Sequence, residues 1–192
     1  MPGGGAVAGE PGSRVPPGDA AGVEALLRSK IRDVPDYPKP GILFKDITPL
    51  LADGAAFATT VHALAEGNEG VTKVAGIEAR GFIFAAPVAM VLGAGFVPVR
   101  KQGKLPAETY SATYDLEYGS ATIELHTDAF APDDRVLIVD DVLATGGTAA
   151  ATVELVQRSG AEVAGLIVLL ELGFLSGRSK LPGLRVRSLL TV

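Results

Sequence analysis

Residues Val136–Thr148 read VLIVDDVLATGGT, and the fold turns on this stretch. It opens with a continuous apolar run, as expected of a strand covered on both faces. Two acids follow, Asp140 and Asp141, and then Thr145-Gly146-Gly147-Thr148. Thr148–Arg158 has helical composition, with Val153 and Val156 as its larger apolar positions. Val163–Leu170 is a second buried-strand run. Strand, helix and strand in that order form a βαβ unit, which predicts parallel strands and a right-handed crossover. Ligands of open parallel sheets bind beyond the carboxyl ends of the strands. There, Gly146 and Gly147 allow backbone amides to approach an anion closely. Thr145 and Thr148 add hydroxyl donors, and the helix start adds unpaired N–H groups and a favourable dipole. These features describe a phosphate monoester site. Carboxylates only accept hydrogen bonds, so Asp140 and Asp141 suit vicinal hydroxyls or the hydration shell of a metal ion. Phosphate and diol together describe a ribose 5-phosphate. TGGT alone also reads as an ordinary helix cap with a glycine turn; the preceding strand and acid pair weigh against that. No Gly-Lys-Ser/Thr follows, so this is not a Walker A loop.

The same alternation extends outward. Lys73–Ile77, Gly95–Val99 and Arg135–Val139 read as buried strands, with a helix over about 82–92. Val23, Leu26, Leu27 and Ile31 recur at helical spacing, as do Phe57, Val61, Leu64 and Ala65. The expected fold is α/β, a twisted and mainly parallel sheet flanked by helices, with a small hood built partly from residues 31–51. Residues 105–126 hold three of the four tyrosines and little periodicity. They predict a long mobile loop, then a strand near Ala121–His126. Gly81–Val99 contains 19 consecutive uncharged residues, but Pro87, Gly93, Gly95 and Pro98 interrupt it, which argues against a membrane span. Ten of the first 19 residues are Gly or Pro. Such a segment buries too little apolar area to order itself, so residues 1–19 are expected to be a disordered tail and 20–192 the functional domain. It lacks the basic start and apolar run of a secretory signal.

Composition narrows the function classes. Lys plus Arg number 17 against 22 Asp plus Glu, a net charge of −5. No partnership with nucleic acid or with an anionic membrane is expected of such a chain, so any phosphate must be caught locally. There is no cysteine, which excludes disulfides, thiolate metal sites and cysteine nucleophiles; a reducing, cytoplasmic setting is expected, although a cysteine-free chain fits any compartment. His62 and His126, the two histidines, lie in different segments and give little support to a histidine metal cluster or triad.

Val136–Thr148 resembles the phosphoribosyl-pyrophosphate (PRPP) signature of type I phosphoribosyltransferases. Three more stretches look like parts of the adenine phosphoribosyltransferase family. Ile31–Leu51, IRDVPDYPKPGILFKDITPLL, is similar to its base-binding segment. Gly76–Phe84, GIEARGFIF, is similar to its pyrophosphate loop. Arg100–Pro106, RKQGKLP, with LEYG at Leu116–Gly119, is similar to its basic segment and hood. The resemblance runs from about residue 23 to the carboxyl end. It implies the reaction of adenine with PRPP to give AMP and pyrophosphate, with Mg2+ as cofactor and a homodimeric protein. It also implies residue roles. Ala144, Thr145, Gly146, Gly147 and Thr148 would take the 5-phosphate. Arg80, Arg100, Lys101 and Lys104 would take pyrophosphate, some of them from a neighbouring subunit. Phe44 would stack on the purine while backbone near Leu43 and Lys45 reads its edge. Glu117 would be the acid beside the purine imidazole, and Tyr118 would help close the hood. Asp140 or Asp141 would assist a Mg2+ held mainly by PRPP oxygens and water, and with Glu117 and Arg80 they complete the candidate catalytic set.

Several alternatives stay open at this level. A phosphoribosyltransferase for hypoxanthine, xanthine or orotate would carry much of the same signature, and so would a PRPP-sensing regulator without catalysis. Arg80 by itself could be an ordinary surface arginine, the basic cluster a solvated loop, Phe44 a core residue, and Glu117 and Tyr118 exposed loop residues. The segment Ala107–Tyr110 fits the family pattern less well, which leaves Glu108, Tyr110 and Tyr114 unassigned.

Overall fold

The computed structural model describes residues 19–115 and 119–192. Apart from Asp19, the expected tail lies outside these residues, as do Glu117 and Tyr118. The main sheet contains β3 (Lys73–Ile77), β4 (Gly95–Lys101), β5 (Thr109–Asp115), β6 (Ser120–His126), β7 (Arg135–Leu143), β8 (Glu162–Glu171) and β9 (Val186–Thr191). Its order is β5-β6-β4-β3-β7-β8-β9. Strands β4, β3, β7, β8 and β9 pair in parallel, and β6 and β5 extend the β4 edge antiparallel. This is the mainly parallel α/β sheet expected from the sequence. A separate antiparallel pair, β1 (Arg32–Pro35) and β2 (Leu43–Asp46), forms the small unit expected within 31–51.

Period-two alternation sorts the strand side chains into two layers. Val74, Leu137, Val139, Ile167 and Leu169 pack with helices α1 (Ala20–Lys30), α2 (Thr48–Ala52), α3 (Gly54–Ala65) and α4 (Gly81–Leu92). Ala75, Ile77, Val136, Ile138, Leu166 and Val168 pack with α5 (Gly147–Arg158). Each fully buried aliphatic chain, such as Leu155 of α5, stabilises the fold by about 1.5–3 kcal/mol. Side chains hold the helix ends in place. Asp53 caps α3 by accepting from the Ala55 and Ala56 amides at 3.1 and 3.0 Å, and it pairs with Lys30 of α1 at 2.7 Å. At the other end, Arg187 Nη2 donates to the Ala63, Leu64 and Glu66 carbonyls at 2.7, 3.1 and 2.8 Å, meeting acceptors that a helix end leaves open.

Three sequence expectations need correction. The long mobile loop within 105–126 is largely a strand: Thr109–Asp115 pairs residue for residue with Ser120–His126. Its inner face is made of Tyr110, Ala112 and Tyr114, and tyrosines separated by Ser and Thr give a weak apolar signal. The strand expected over Arg135–Val139 continues to Leu143, so both acids are strand residues rather than the start of a loop. Phe44 follows Pro40-Gly41 in a stretch that reads as loop from its sequence, yet it lies in β2. The uncharged run divides as expected, with α4 stopped by left-handed Gly93 and β4 starting at Gly95. Among the described residues no helix is long and apolar enough to cross a membrane.

Candidate active site

Strands β3 and β7 are direct neighbours, with Gly76 opposite Val139, so the segments leaving their carboxyl ends emerge side by side. After β3 come Glu78, Ala79 and Arg80, with a cis peptide between Glu78 and Ala79. Gly81 then starts α4 hard against β7. A Cβ at this position would stand 2.8 Å from Asp140 Oδ1 and 3.1 Å from the Val139 carbonyl oxygen. This close approach puts Arg80 over the acid pair, and its Nε lies 2.8 Å from Asp141 Oδ2. The same guanidinium sits 5.3 Å from the centroid of the Phe44 ring. A planar, delocalised cation can make both contacts at once. One side chain therefore joins three segments distant in sequence: the small sheet, the turn after β3 and the end of β7. Tyr37 meets Phe44 edge-on, with centroids 5.1 Å apart.

The two acids differ in their surroundings. Asp140 Oδ1 accepts from the Asp141 amide at 2.8 Å. Burial pushes the Asp140 carboxyl well above the usual carboxylate range, and the neighbouring Asp141 charge adds to the rise. Burial also raises Asp141, against the opposing pull of Arg80.

Beyond β7, residues Ala144–Thr148 line a cavity of about 70 Å³ that also reaches Asp140. That is roughly two water molecules' share of liquid volume, a space on the scale of one tetrahedral oxyanion. Gly146 adopts φ 79° and ψ 0° just before α5, and no side chain caps this helix. Its open amides are the donors that an anion at a helix start would meet. A Cβ on Gly146 would collide with the Gly177 carbonyl oxygen, so this glycine serves the packing of the loop as well as its curvature. A Cβ on Gly147 would stand 3.0 Å from Cδ2 of Tyr114.

The basic segment at the end of β4 is held by acids. Arg100 Nε donates to Glu78 Oε2 at 3.1 Å, and its Nη1 to the Lys104 carbonyl at 3.1 Å. The Lys101 amide reaches the same Glu78 oxygen at 2.9 Å, and the Gly103 amide reaches Oε2 of buried Glu124 at 2.9 Å. Burial would raise the Glu78 carboxyl, but the Lys101 amide and Arg100 outweigh it and hold it below its ordinary range. Arg100 is thus engaged within the chain. The ammonium groups of Lys101 and Lys104 make no ion pair among the described residues. Sequence reasoning missed Glu124, because its partner lies 21 positions away and no local pattern joins them.

In the small sheet, Leu43 is 51% exposed, while Lys45 Nζ turns to Asp33 Oδ1 at 2.6 Å. A two-stranded sheet leaves the outer edge of β2 without a strand partner, so main-chain donors and acceptors near Leu43–Lys45 stay open to a ligand. An apolar cleft of about 420 Å³ adjoins this edge, lined by Ile42, Leu43, Leu172, Phe174, Leu175 and Val192. Its second wall, the segment 172–175, also escaped the sequence reading, since its apolar residues show no regular spacing. Glu117 and Tyr118 belong to the connection between β5 and β6 and lie outside the described residues.

Comparison with known proteins agrees with this geometry. The family model described as the phosphoribosyl transferase domain matches residues 44–180. The adenine phosphoribosyltransferase of Streptomyces coelicolor is 62% identical over 180 residues, covering 91% of this chain and 99% of its own. That of Thermobifida fusca is 62% identical over 173 residues, 88% of this chain and 98% of its own. Among solved structures, the adenine phosphoribosyltransferase of Thermoanaerobacter pseudethanolicus superposes with a TM-score of 0.85 at 52% identity, covering 88% of this chain and 99% of that one. The Saccharomyces cerevisiae protein, solved with an imino-altritol bisphosphate and adenine, gives 0.84 at 40% identity, with 88% and 99% covered. With the family model spanning residues 44–180 and relatives 62% identical, the chain belongs to the phosphoribosyltransferase family, within its adenine phosphoribosyltransferase branch.

Proposed function

We propose that this chain transfers the 5-phosphoribosyl group of PRPP to adenine, releasing AMP and pyrophosphate in a purine salvage reaction. The observation that carries the reading is Arg80, whose guanidinium lies between Asp141 and the Phe44 ring and so links the base side of the site to the acid pair below the phosphate loop. The names of the relatives support the same reaction. In it, the bond from the anomeric carbon to the pyrophosphate oxygen breaks and a bond to purine N9 forms. The purine imidazole gives up its proton on the hood side, where the resemblance puts Glu117.

The roles of the chain's residues follow from this chemistry. Ala144–Thr148 hold the 5-phosphate through amides and hydroxyls, fixing the ribose against Asp140 and Asp141. Arg80, Lys101 and Lys104, with Arg100, neutralise charge on the departing pyrophosphate, where preorganised cations lower the barrier most. Closure of the hood excludes water. Phe44 stacks on the purine, and the open edge of β2 matches adenine's amino donor and ring acceptor. A 6-oxo purine reverses that polarity and leaves buried groups unpaired.

Mg2+ suits the donor set. Among the described residues no three His, Cys, Asp or Glu side chains form a metal cage. Two carboxylates beside a phosphate cavity instead fit an ion that keeps its waters and binds mainly through substrate oxygens. Bound there, it would neutralise pyrophosphate charge, with Asp140 or Asp141 assisting indirectly through its waters. Exposed Ile83, Met90 and Val91 on α4, with Phe96 on β4, support a homodimer, and the cysteine-free chain fits a cytoplasmic setting.

The test is a panel of bases with PRPP and Mg2+. Adenine is expected to exceed hypoxanthine in kcat/KM by at least about a hundredfold, roughly 2.7 kcal/mol. Comparable rates on both bases would overturn the assignment.

A further inference from the structure

The phosphate loop has a brace outside the ligand site. Leu143, the last residue of β7, is paired in the sheet with Glu171, the last residue of β8. Glu171 is buried, and Arg178 grips it with two parallel bonds, Nε to Oε1 and Nη2 to Oε2, both 2.7 Å. Ser188 Oγ donates to the same Oε2 at 2.9 Å, and Arg178 Nη1 reaches the Val186 carbonyl at 2.7 Å. The residue before Arg178 is Gly177. A Cβ on Gly177 would collide with the Ala144 carbonyl oxygen, just as one on Gly146 would collide with that of Gly177. The links close a ring: Ala144 follows Leu143, Leu143 pairs with Glu171, Glu171 binds Arg178, and Gly177 abuts Ala144 and Gly146.

We infer that the Glu171–Arg178 pair is a positioning device for the phosphate loop, holding the Gly177 main chain as the surface on which Ala144 and Gly146 take their binding shape. Neither side chain lines the phosphate cavity. The pair acts through geometry, and the geometry is demanding: a guanidinium meets both carboxylate oxygens at once, whereas an ammonium offers a point charge with no fixed fork. The turn between β8 and β9 gives the pair a short reach. Gly173–Leu175 and Gly177–Lys180 are two 3-10 turns joined at Ser176, which has φ 52°. A shift of Arg178 is therefore passed to Gly177 with no flexible residues in between.

The inference rests on the proposed reaction, because it presumes that the loop binds a 5-phosphate. Its test uses the full chain and two ligands that divide the site. AMP carries the 5-phosphate, and pyrophosphate with Mg2+ does not. Arg178→Lys, Glu171→Gln and Gly177→Ala should weaken AMP binding, measured by calorimetry, and raise the KM for PRPP by about tenfold or more. Pyrophosphate affinity should stay within about twofold. Ser188→Ala removes the hydroxyl that bonds Glu171 Oε2, Arg178 Nη2 and Thr191 Oγ1 but leaves the paired Glu171–Arg178 bonds in place, and it serves if the other variants fail to fold; it should weaken AMP by a smaller factor, again sparing pyrophosphate. AMP affinity unchanged in folded variants would overturn the inference. So would equal losses of AMP and pyrophosphate, which mean general loosening of the fold. A wild-type protein that neither binds AMP nor turns over adenine would overturn the proposed reaction itself. A wild type that binds AMP beside variants that bind it equally well would overturn only the brace.

Discussion

At the end of β7, Asp140 lies beneath Gly81 and beside Asp141, in a place that strips a carboxylate of its hydration. A carboxyl whose pKa rises on folding binds its proton more tightly in the native state. Between the unfolded value, near 4, and the raised native value, the native state holds more protons, so stability falls as pH rises through that window. Asp140→Asn keeps the shape and removes the charge. It should raise the melting temperature at neutral pH by about 2–4 °C and flatten the fall in stability above pH 4. The same change should lower adenine turnover by about tenfold or more, roughly 1.4 kcal/mol of barrier. Melting curves across pH, alongside steady-state rates, check both halves. A lower melting temperature would show that the charge stabilises the fold. Residue types made this site partly legible. Two acids followed by TGGT need no structure to suggest phosphate and diol. The pairing of Arg80 with Asp141, across 61 positions, has no local trace in the sequence.

Elements set what the glycines of the loop can tolerate. Gly146 sits at a left-handed φ and faces a carbonyl oxygen, whereas Gly147 faces the ring of Tyr114. Non-glycine residues in the left-handed region cost about 1–2 kcal/mol before any collision is counted. Gly146→Ala should therefore lower the melting temperature by several degrees, at about 2–4 °C per kcal/mol, and remove measurable AMP binding. Gly147→Ala should melt close to wild type, because a tyrosine ring can give way by a few tenths of an ångström. Thermal melts with AMP titrations distinguish the two, and equal behaviour would mean that backbone packing at Gly177 is unimportant. Elements were also where the sequence misled. β7 and β8 announce themselves through unbroken apolar runs because both of their faces are buried. β5 lies at the edge of the sheet and packs one face on α5 through two tyrosines, so its pattern matches a polar loop as well as a strand.

At the scale of the whole molecule, α4 and β4 leave an apolar face exposed among the described residues. Ile83 and Met90 stand seven residues apart on α4, in one stripe, and Met90 is 83% exposed. Phe96 lies four residues before Arg100 on β4, so a partner seated on this face would approach the basic segment. If the proposed homodimer forms through this face, the wild type should sediment as a dimer and Met90→Glu as a monomer with lower turnover on PRPP. A variant that remains dimeric would move the interface elsewhere.

The contact between Tyr114 and Gly147 has an optical consequence. The chain contains no tryptophan and four tyrosines, so its intrinsic ultraviolet emission comes from phenol rings alone. One of those rings, Tyr114, lies against Gly147 in the glycine loop after β7, and another, Tyr37, meets Phe44 edge-on. The two halves of the site thus each hold a native fluorophore. PRPP has no chromophore to interfere, so its arrival can be followed in the unlabelled protein, and the part of the signal lost in Tyr114→Phe but kept in Tyr37→Phe reports on the glycine loop.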